Sequence, residues 1–449
     1  MSLAVSKTAL IQKNWIIPLI FLYFFTTSAD LLHIEVSLFH FKVNHALSLV
    51  LFILCAIQKK RWVLPDKKLF LAFLATIVAM GLSAIGGIYP YRSLIYLLVY
   101  IFTFLAYFLL PFNLFLLYGK ERIFKLYFLA FVVTGIIGTL QFFLSLIDIS
   151  TPFVTQYMLD TIARGQALAY EPSYYALFLV PYVMYLNARF LFDCEKVIDF
   201  SRLKGLFVKN LFLLVSTSTG AFFAYFVFFL VTLFVGCFRW VRESRRKIVG
   251  KLFKMMSLFS LLFVSIALAM PELFLRSFWK FFHTGFMQHG SFVDRLYGII
   301  SSHEAFLQHP LLGVGIGGVG PFVYQQCLSQ GRAVSFHEPY SCMFDMFDPT
   351  NVFWELLASL GVVGFFVFGY FFFLYLRILH QTAKLPHLSR EEKSTIYSLI
   401  ISVGVMLIVL QFNQNLFRSY VWVHLAICLG YCFTLKNEKK LILKNLQID

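Results

Sequence analysis

Residues that could bind or transform a ligand are concentrated in three short segments of an otherwise apolar chain. The first contains Arg295 and then a glycine-rich run at 309–320, which includes Gly313 and Gly315. Glycine permits positive φ angles and close approach of the backbone, so the N–H groups of this run could face an anion. The alternative is a tight packing turn. The run is not a dinucleotide-binding fingerprint, because no strand precedes it.

The second segment reads Arg-Gly-Gln at 164–166 and Tyr-Glu-Pro-Ser-Tyr-Tyr at 170–175. Proline is tolerated at the first position of a helix, because its missing N–H would have no partner there anyway. Glu171 is therefore predicted at the outer mouth of a helix. It is either a functional acid or a solvated one.

The third segment reads Asp-Pro-Thr-Asn at 348–351. Threonine and asparagine are both residue types that cap helix N-termini, so either Thr350 or Asn351 is predicted to be the cap. Gly361 and Gly364 follow one turn apart, a spacing that favours close helix contact. A purely structural helix start is the alternative interpretation of this segment.

Composition indicates which elements must position these segments. Of the 449 residues, 60% are hydrophobic and 13% are charged, whereas soluble domains carry about 25% charged residues. This balance excludes a soluble enzyme, a disordered protein and a disulfide scaffold. It predicts an all-α polytopic membrane protein.

Apolar runs long enough to cross a bilayer as helices, about 17–25 residues each, predict about 12 transmembrane helices. They lie near 15–32, 43–58, 69–88, 93–117, 124–147, 171–191, 205–218, 220–238, 252–272, 352–376, 395–412 and 419–435.

The distribution of basic residues predicts the orientation of these spans. With both termini cytoplasmic, eight of the 38 Lys and Arg residues lie outside, which leaves 30 inside. The net charge of +16 is then mostly a cytoplasmic anchor, and nucleic acid is not an expected partner. The predicted parts are residues 1–272 with nine spans and an outer loop at 148–170, a large ordered outer loop at 273–351, and residues 352–449 with three spans and a cytoplasmic tail.

Taken together, these segments resemble the O-antigen polymerase and O-antigen ligase superfamily of bacterial envelopes. The resemblance covers the whole chain as architecture, including the large loop before the tenth span. Four motifs carry it in detail: Glu-Pro-Ser-Tyr at 171–174, Ser-Thr-Ser at 216–218, the stretch from Arg295 to Gly315, and the Asn351…Glu355…Gly361-x-x-Gly364 cap.

The resemblance implies a glycosyltransferase-C-like fold in the bacterial inner membrane, with its active site on the periplasmic face. The reaction would be inverting and metal-independent, with a glycan on undecaprenyl diphosphate as donor. Family members place two arginines at positions matching Arg164 and Arg295 to hold the diphosphate, a role that suits a permanently charged, bidentate side chain. Further candidates for this role are Arg92, Arg332 and Arg418, each of which could instead be an interfacial anchor.

The residue before Asn351 departs from the family pattern. Ligase-type members carry a histidine there, proposed to activate the acceptor hydroxyl, whereas this chain has Thr350, which is no general base. The departure favours the polymerase. Glu171 and His337 are then the main candidates for the base; two nearby acids, Glu338 and Asp348, are others.

The sequence therefore predicts a polysaccharide polymerase that joins a growing glycan to the next undecaprenyl-diphosphate-linked repeat unit. We expect no metal and no cofactor, since the outer face has no acid and histidine set at metal-ligand spacing. Expected partners are the lipid-linked oligosaccharide and membrane lipids, with a chain-length regulator as a further candidate. The alternatives are an O-antigen ligase that transfers the glycan to lipid A core and, in another class, a lipid-linked oligosaccharide flippase.

Overall fold

We analysed a computed structural model of the chain. The structure describes residues 15–36, 39–58, 62–158, 161–192, 200–236, 290–329, 351–413 and 416–446. The predicted ninth span at 252–272 lies outside the described residues. So does much of the predicted outer loop, including His337 and Thr350.

Helices make up most of the described structure, in agreement with the predicted all-α class. Their bounds are α1 Ile16–Thr26, α2 Val43–Gln58, α3 Lys67–Gly86, α4 Pro90–Phe104, α5 Leu110–Tyr118, α6 Lys120–Ser145, α7 Pro172–Phe192, α8 Phe200–Leu214, α9 Thr219–Gly236, α10 Gly290–Gln308, α11 Val319–Ser329, α12 Val352–Ala383, α13 Arg390–Asn413 and α14 Ser419–Leu446. A π-helical turn, Leu105–Leu109, joins α4 to α5.

Six helices among the described residues are long and apolar enough to cross a membrane. They are Lys67–Gly86, Pro90–Tyr118, Lys120–Ser145, Pro172–Phe192, Val352–Ala383 and Arg390–Gln411. Three shorter apolar helices, Ile16–Thr26, Val43–Ile57 and Gly220–Thr232, accompany them. The chain thus has the helices of a multi-pass membrane protein, while the count of twelve spans stays a prediction.

Two small antiparallel hairpins lie in the connections between helices. Strands β1 His33–Val36 and β2 Phe39–Lys42 pair with each other, as do β3 Tyr157–Met158 and β4 Ile162–Ala163. The first hairpin follows α1, which ends at Thr26 and not at residue 32 as predicted.

A kink at Gly361 breaks α12 within its first third. Gly361 has a φ of 63°, a conformation that side chains other than glycine rarely adopt. The carbonyl oxygens of Ala358 and Ser359 accept hydrogen bonds from the N–H groups of Val314 (2.9 Å) and Gly315 (3.1 Å). The glycine-rich run therefore completes the backbone pairing that the kink removes. Gly361 does make a close contact, but with this run and not with a neighbouring helix.

Aromatic side chains fill the interior between the helices. Trp422 is fully buried, donates from its Nε1 to the carbonyl oxygen of Leu416 (2.7 Å), and packs edge-on against Tyr100 and Phe108. Among the polar groups inside, the ring nitrogens of His424 bond to the hydroxyls of Tyr127 and Ser402.

The connections that matter for function meet at one end of the bundle, which we call the site end. Three backbone hydrogen bonds join these connections. The N–H of Leu31 donates to the carbonyl of Leu168, the N–H of Ile88 to the carbonyl of Val314, and the N–H of Gly165 to the carbonyl of Val215. The described segments that form this end are 27–32, 87–89, 146–158, 161–171, 215–218, 309–318 and 416–418. Other connections meet at the opposite end, where Arg189 forms an ion pair with Glu391 (3.1 Å).

Candidate functional site

Arg164 is held against the break between α8 and α9. Its Nε donates to the hydroxyl of Thr217 (3.0 Å), its Nη2 to the Thr217 carbonyl (3.3 Å), and its Nη1 to Gln156 (2.9 Å). Thr217 has a φ of 48°, so the predicted break in this helical stretch is confirmed. Burial lowers the pKa of Arg164, while the nearby Glu171 carboxylate acts in the opposite direction.

Glu171 stands directly before α7, as predicted. Pro172 is the first helical residue, and the carbonyl oxygen of Glu171 accepts the N–H groups of Tyr174 (3.0 Å) and Tyr175 (3.2 Å). The side chain accepts a hydrogen bond from the hydroxyl of Ser173 (2.9 Å). The backbone of the acid is therefore fixed by the start of the helix, and its carboxylate is held by a neighbouring hydroxyl.

A buried glutamine fixes the loop that carries both residues. Gln166 donates to the carbonyl oxygens of Phe153 (2.7 Å) and Ala169 (3.1 Å) and accepts the N–H of Thr155 (3.1 Å). Gln141 of α6 accepts the N–H of Ala167 (2.7 Å). The described parts of this loop, 148–158 and 161–170, are consequently held by side chains that bond to their backbone.

Arg418 completes the same region from the connection between α13 and α14. Its guanidinium carbon lies 3.8 Å from the ring centroid of Tyr174, a cation–π arrangement. Its Nη1 lies 3.5 Å from Oδ1 of Asp30, and Lys42 forms an ion pair with that same oxygen.

Neighbouring charged groups stabilise the ionised forms of both Asp30 and Arg418. Burial would raise the pKa of Asp30, but Lys42 and Arg418 outweigh it and leave the pKa below its ordinary value of 3.8. Burial would lower the pKa of Arg418, but Asp30, Tyr420, Tyr174 and Glu171 outweigh it and raise that pKa.

We call Asp30, Lys42, Arg164, Glu171 and Arg418 the mouth cluster. Glu171 acts electrostatically on both Arg164 and Arg418. Three cations and two carboxylates leave a net formal charge of +1, so the cluster is suited to an anionic ligand. The sequence did not identify Asp30 and Lys42 as residues of the site. The available signal was an acid inside a predicted apolar span and a lysine just before the next one.

The glycine-rich run has positive φ angles at Gly313 (73°) and Gly315 (94°), as predicted. Its amides, however, donate to protein carbonyls: Gly313 to His309 (3.0 Å) and Gly315 to Ser359 (3.1 Å). This arrangement is the tight packing turn that was the alternative interpretation. Buried Arg92 donates from its Nε to the Gly317 carbonyl (2.6 Å) and so holds the run in place.

Asn351 is the cap of α12, as predicted. Its Oδ1 accepts the N–H of Trp354 (3.0 Å), and its Nδ2 donates to the Gln411 carbonyl (2.8 Å). Arg295 is half-buried on α10, a helix that packs against α12 and α11. Glu355, the main acid predicted inside a span, is buried in the first turn of α12.

Aromatic contacts join the glycine-rich run to the mouth cluster. Phe417 meets the ring of Tyr96 edge-on at 5.7 Å, and the Tyr96 hydroxyl accepts a hydrogen bond from Nη2 of Arg92 (3.1 Å). Phe417 precedes Arg418, so one short connection reaches both regions. Within the described residues, no group of three or more His, Cys, Asp or Glu side chains could hold a metal ion.

Residues 205–369 match the sequence profile of the family described as O-Antigen ligase, whose members are glycosyltransferase-like enzymes. No curated protein matches the chain. The matched part contains Arg295, Gly313, Gly315 and Asn351 and ends inside α12. Over this part of the chain, the match confirms the resemblance to the O-antigen ligase and polymerase superfamily.

Proposed function

We propose that the protein is a polysaccharide polymerase that transfers a growing glycan from undecaprenyl diphosphate to the next undecaprenyl-diphosphate-linked repeat unit. The observation that carries this proposal is the mouth cluster, where Glu171 acts on two arginines at one end of a bundle of apolar helices. The family match supports the same class of reaction. The proposal puts the site end at the periplasmic face of the bacterial inner membrane.

The proposed chemistry follows from the leaving group. A diphosphate is already acidic, so it requires neutralisation of its charge more than a proton. Arg164 and Arg295 would bind the donor diphosphate, and Arg418 would add a third cation. A hydroxyl of the acceptor attacks the anomeric carbon from the face opposite the diphosphate, which leaves with the electron pair of the broken C–O bond. The configuration at that carbon is therefore inverted.

The proton of the acceptor hydroxyl would pass to Glu171 or to His337. Glu171 lies directly before α7, and its carboxylate accepts a hydrogen bond from the Ser173 hydroxyl. A positioned general base typically contributes about 10²–10⁴-fold in rate, so Glu171→Gln should slow chain growth by that order. Glu121→Gln, at the first turn of α6, is the matched control and should retain activity. Wild-type chain growth in both Glu171→Gln and His337→Ala would exclude both residues as the base.

The ligase is the second candidate, because the matched family, described as O-Antigen ligase, is compatible with either reaction. Purified protein should be given lipid-linked repeat units alone, and then together with lipid A core. We expect a ladder of lengthening glycans from the repeat units alone. A single transfer to the core sugar, without a ladder, would identify a ligase. Translocation of the oligosaccharide across a vesicle membrane, with no new glycosidic bond, would identify a flippase.

A further inference from the structure

A cavity of about 180 Å³ lies in the bend of α12. The bend brings the rings of Phe353 and Phe365 within 4.9 Å of each other. On a straight helix, residues twelve apart would be about 18 Å apart along the axis. Residues of α13, such as Leu407, and Leu416 of the next connection close the other side. The cavity is thus a product of the kink at Gly361.

The lining of this cavity is suited to hydrocarbon. Apart from Gln411 and Gly369, its lining residues carry apolar side chains, several of them aromatic. Gly369 and Phe353 are both exposed at its open side. α12 and α13 are both candidate membrane spans by length and composition, so in a bilayer the exposed side of the cavity would lie against acyl chains. A ligand would therefore enter from lipid.

One lining residue of the cavity lies close along the chain to the mouth cluster. Leu416 lines the cavity, and Arg418 follows two residues later, at most about 7 Å along the chain. Arg418 belongs to the mouth cluster, which contains two further cations, Lys42 and Arg164, and has a net formal charge of +1. An apolar cavity that ends beside cations matches a molecule whose hydrocarbon chain is joined directly to an anionic diphosphate.

We propose that this cavity, which we call the lipid slot, binds the diphosphate-proximal part of a polyprenyl chain, with the diphosphate towards Arg418. This inference rests on the proposed function, because a polyprenyl diphosphate carrier is part of that function. A bilayer phospholipid is the competing occupant. It places a glycerol between its chains and its phosphate, and a zwitterionic headgroup brings no net charge to the cluster.

Gly369 offers a direct test of the lipid slot. A Cβ atom added there would meet nothing within 4 Å, so Gly369→Leu starts without a clash at Cβ and places a bulky side chain at the lining of the slot. Gly81→Leu in α3 is the matched control, since a Cβ atom there also meets nothing within 4 Å and Gly81 is not part of the lining. With undecaprenyl-linked repeat units, Gly369→Leu should raise KM on the order of tenfold, as expected when a hydrophobic pocket is obstructed. The same repeat units on a methyl diphosphate, which has no hydrocarbon chain to occupy the slot, should show no such change.

Photo-crosslinking tests the lipid slot without relying on turnover. A photoreactive polyprenyl diphosphate should label peptides that contain Leu356 or Leu407, and Gly369→Leu should abolish that labelling while Gly81→Leu preserves it. Undecaprenyl diphosphate should compete with the label, whereas phosphatidylethanolamine should not. Competition by the phospholipid, or an unchanged KM together with unchanged labelling, would overturn the inference. Absence of polymer from the wild-type protein would contradict the proposed function alone, and labelling would still decide the lipid slot.

Discussion

Single residues at the mouth of α7 show how a few charges can be kept ionised where water is scarce. Asp30 shares one carboxylate oxygen between Lys42 and Arg418. Arg418 also lies over the ring of Tyr174, and Arg164 is fixed by Thr217. Each cation thus has neighbours that set its orientation, and the excess positive charge remains for a ligand.

Arg164 should be essential for donor binding in the proposed reaction. Loss of a charged hydrogen-bonding partner from a desolvated ligand typically costs about 2–5 kcal/mol, or roughly 30-fold to several-thousand-fold in rate. Arg164→Ala should show a defect of this size. Arg164→Lys should be less impaired, because lysine keeps the charge, although it loses the planar fork that reaches both Thr217 and Gln156. Initial rates with lipid-linked repeat units would measure both variants. Arg189→Ala, which breaks an ion pair at the opposite end, is the control, and full activity of Arg164→Ala would refute the role.

Asp30 should make stability dependent on acid. Because its pKa is lowered in the folded state, the carboxylate contributes stability that is fully present above the unfolded-state value of 3.8. That contribution is lost as the pH falls through the lower folded-state pKa. Asp30→Asn should therefore have a lower Tm than wild type at neutral pH, with the difference shrinking below about pH 4. Thermal unfolding in detergent would measure it, with exposed Asp148→Asn as control; a constant difference at all pH values would contradict the assignment.

At the scale of elements, α12 and the glycine-rich run form one unit. The run gives the Val362 N–H an acceptor at Pro310 (2.9 Å) and occupies the carbonyls freed by the kink. The turn before α4 joins the same unit through Gly87, where an added Cβ atom would lie 2.8 Å from the Val314 oxygen. The unit holds the cap at Asn351 and the start of α11 at fixed positions relative to α3 and α4.

Gly361→Ala should disrupt this unit. Gly361 combines a φ of 63° with a ψ of −168°, a conformation essentially restricted to glycine that costs about 1–3 kcal/mol for a residue with a Cβ atom, and that atom would lie closer than 3.0 Å to the backbone of Leu311. We expect a loss of more than about 2 kcal/mol in the free energy of unfolding. Chemical denaturation in detergent would measure it. Gly81→Ala, where the Cβ atom has open space, should be neutral or gain up to about 1 kcal/mol. Equal stability of the two variants would show that the kink is not constrained in this way.

Local signals in the sequence predicted the helix starts but not the long-range contacts. Pro172 and Asn351 could be assigned because a proline or a cap acts through its immediate neighbours. Arg418 and Asp30 are 388 residues apart, and no local pattern links them. The kink at Gly361 was not predicted either, because two glycines spaced as Gly361 and Gly364 are also typical of a straight helix that packs closely against another. The conformation at Gly361 depends on a segment about fifty positions earlier in the chain.

At the scale of the whole molecule, hydropathy predicted the helical membrane character because the bilayer imposes one length and one polarity on every span. The hairpins at 33–42 and 157–163 were not predicted. They lie in connections, where turn chemistry and side-chain contacts decide the backbone. Even the first apolar run stops early as a helix, since Thr26 and Thr27 bond back to carbonyls of α1.

Orientation in the membrane is a prediction that belongs to this scale. Basic residues predict that the site end faces the periplasm. In a cysteine-free background, Ser150→Cys at the site end should react with an impermeant thiol reagent in intact cells. Lys384→Cys at the opposite end should react only after permeabilisation. The reverse pattern would place the mouth cluster in the cytoplasm and contradict the proposed function.

The dependence of α12 on the glycine-rich run has a consequence for biogenesis. While α12 enters the membrane, the kink leaves peptide groups without partners in its own helix, and each unsatisfied group in lipid costs several kcal/mol. Residues 310–315 leave the ribosome before α12 does, so the acceptors for Val362 and Val363 already exist when they are needed. The segment that supplies these acceptors is thus synthesised before the helix that contains the kink. A chain divided between residues 329 and 351 would deliver α12 to the translocon without the segment that makes its bend tolerable in lipid.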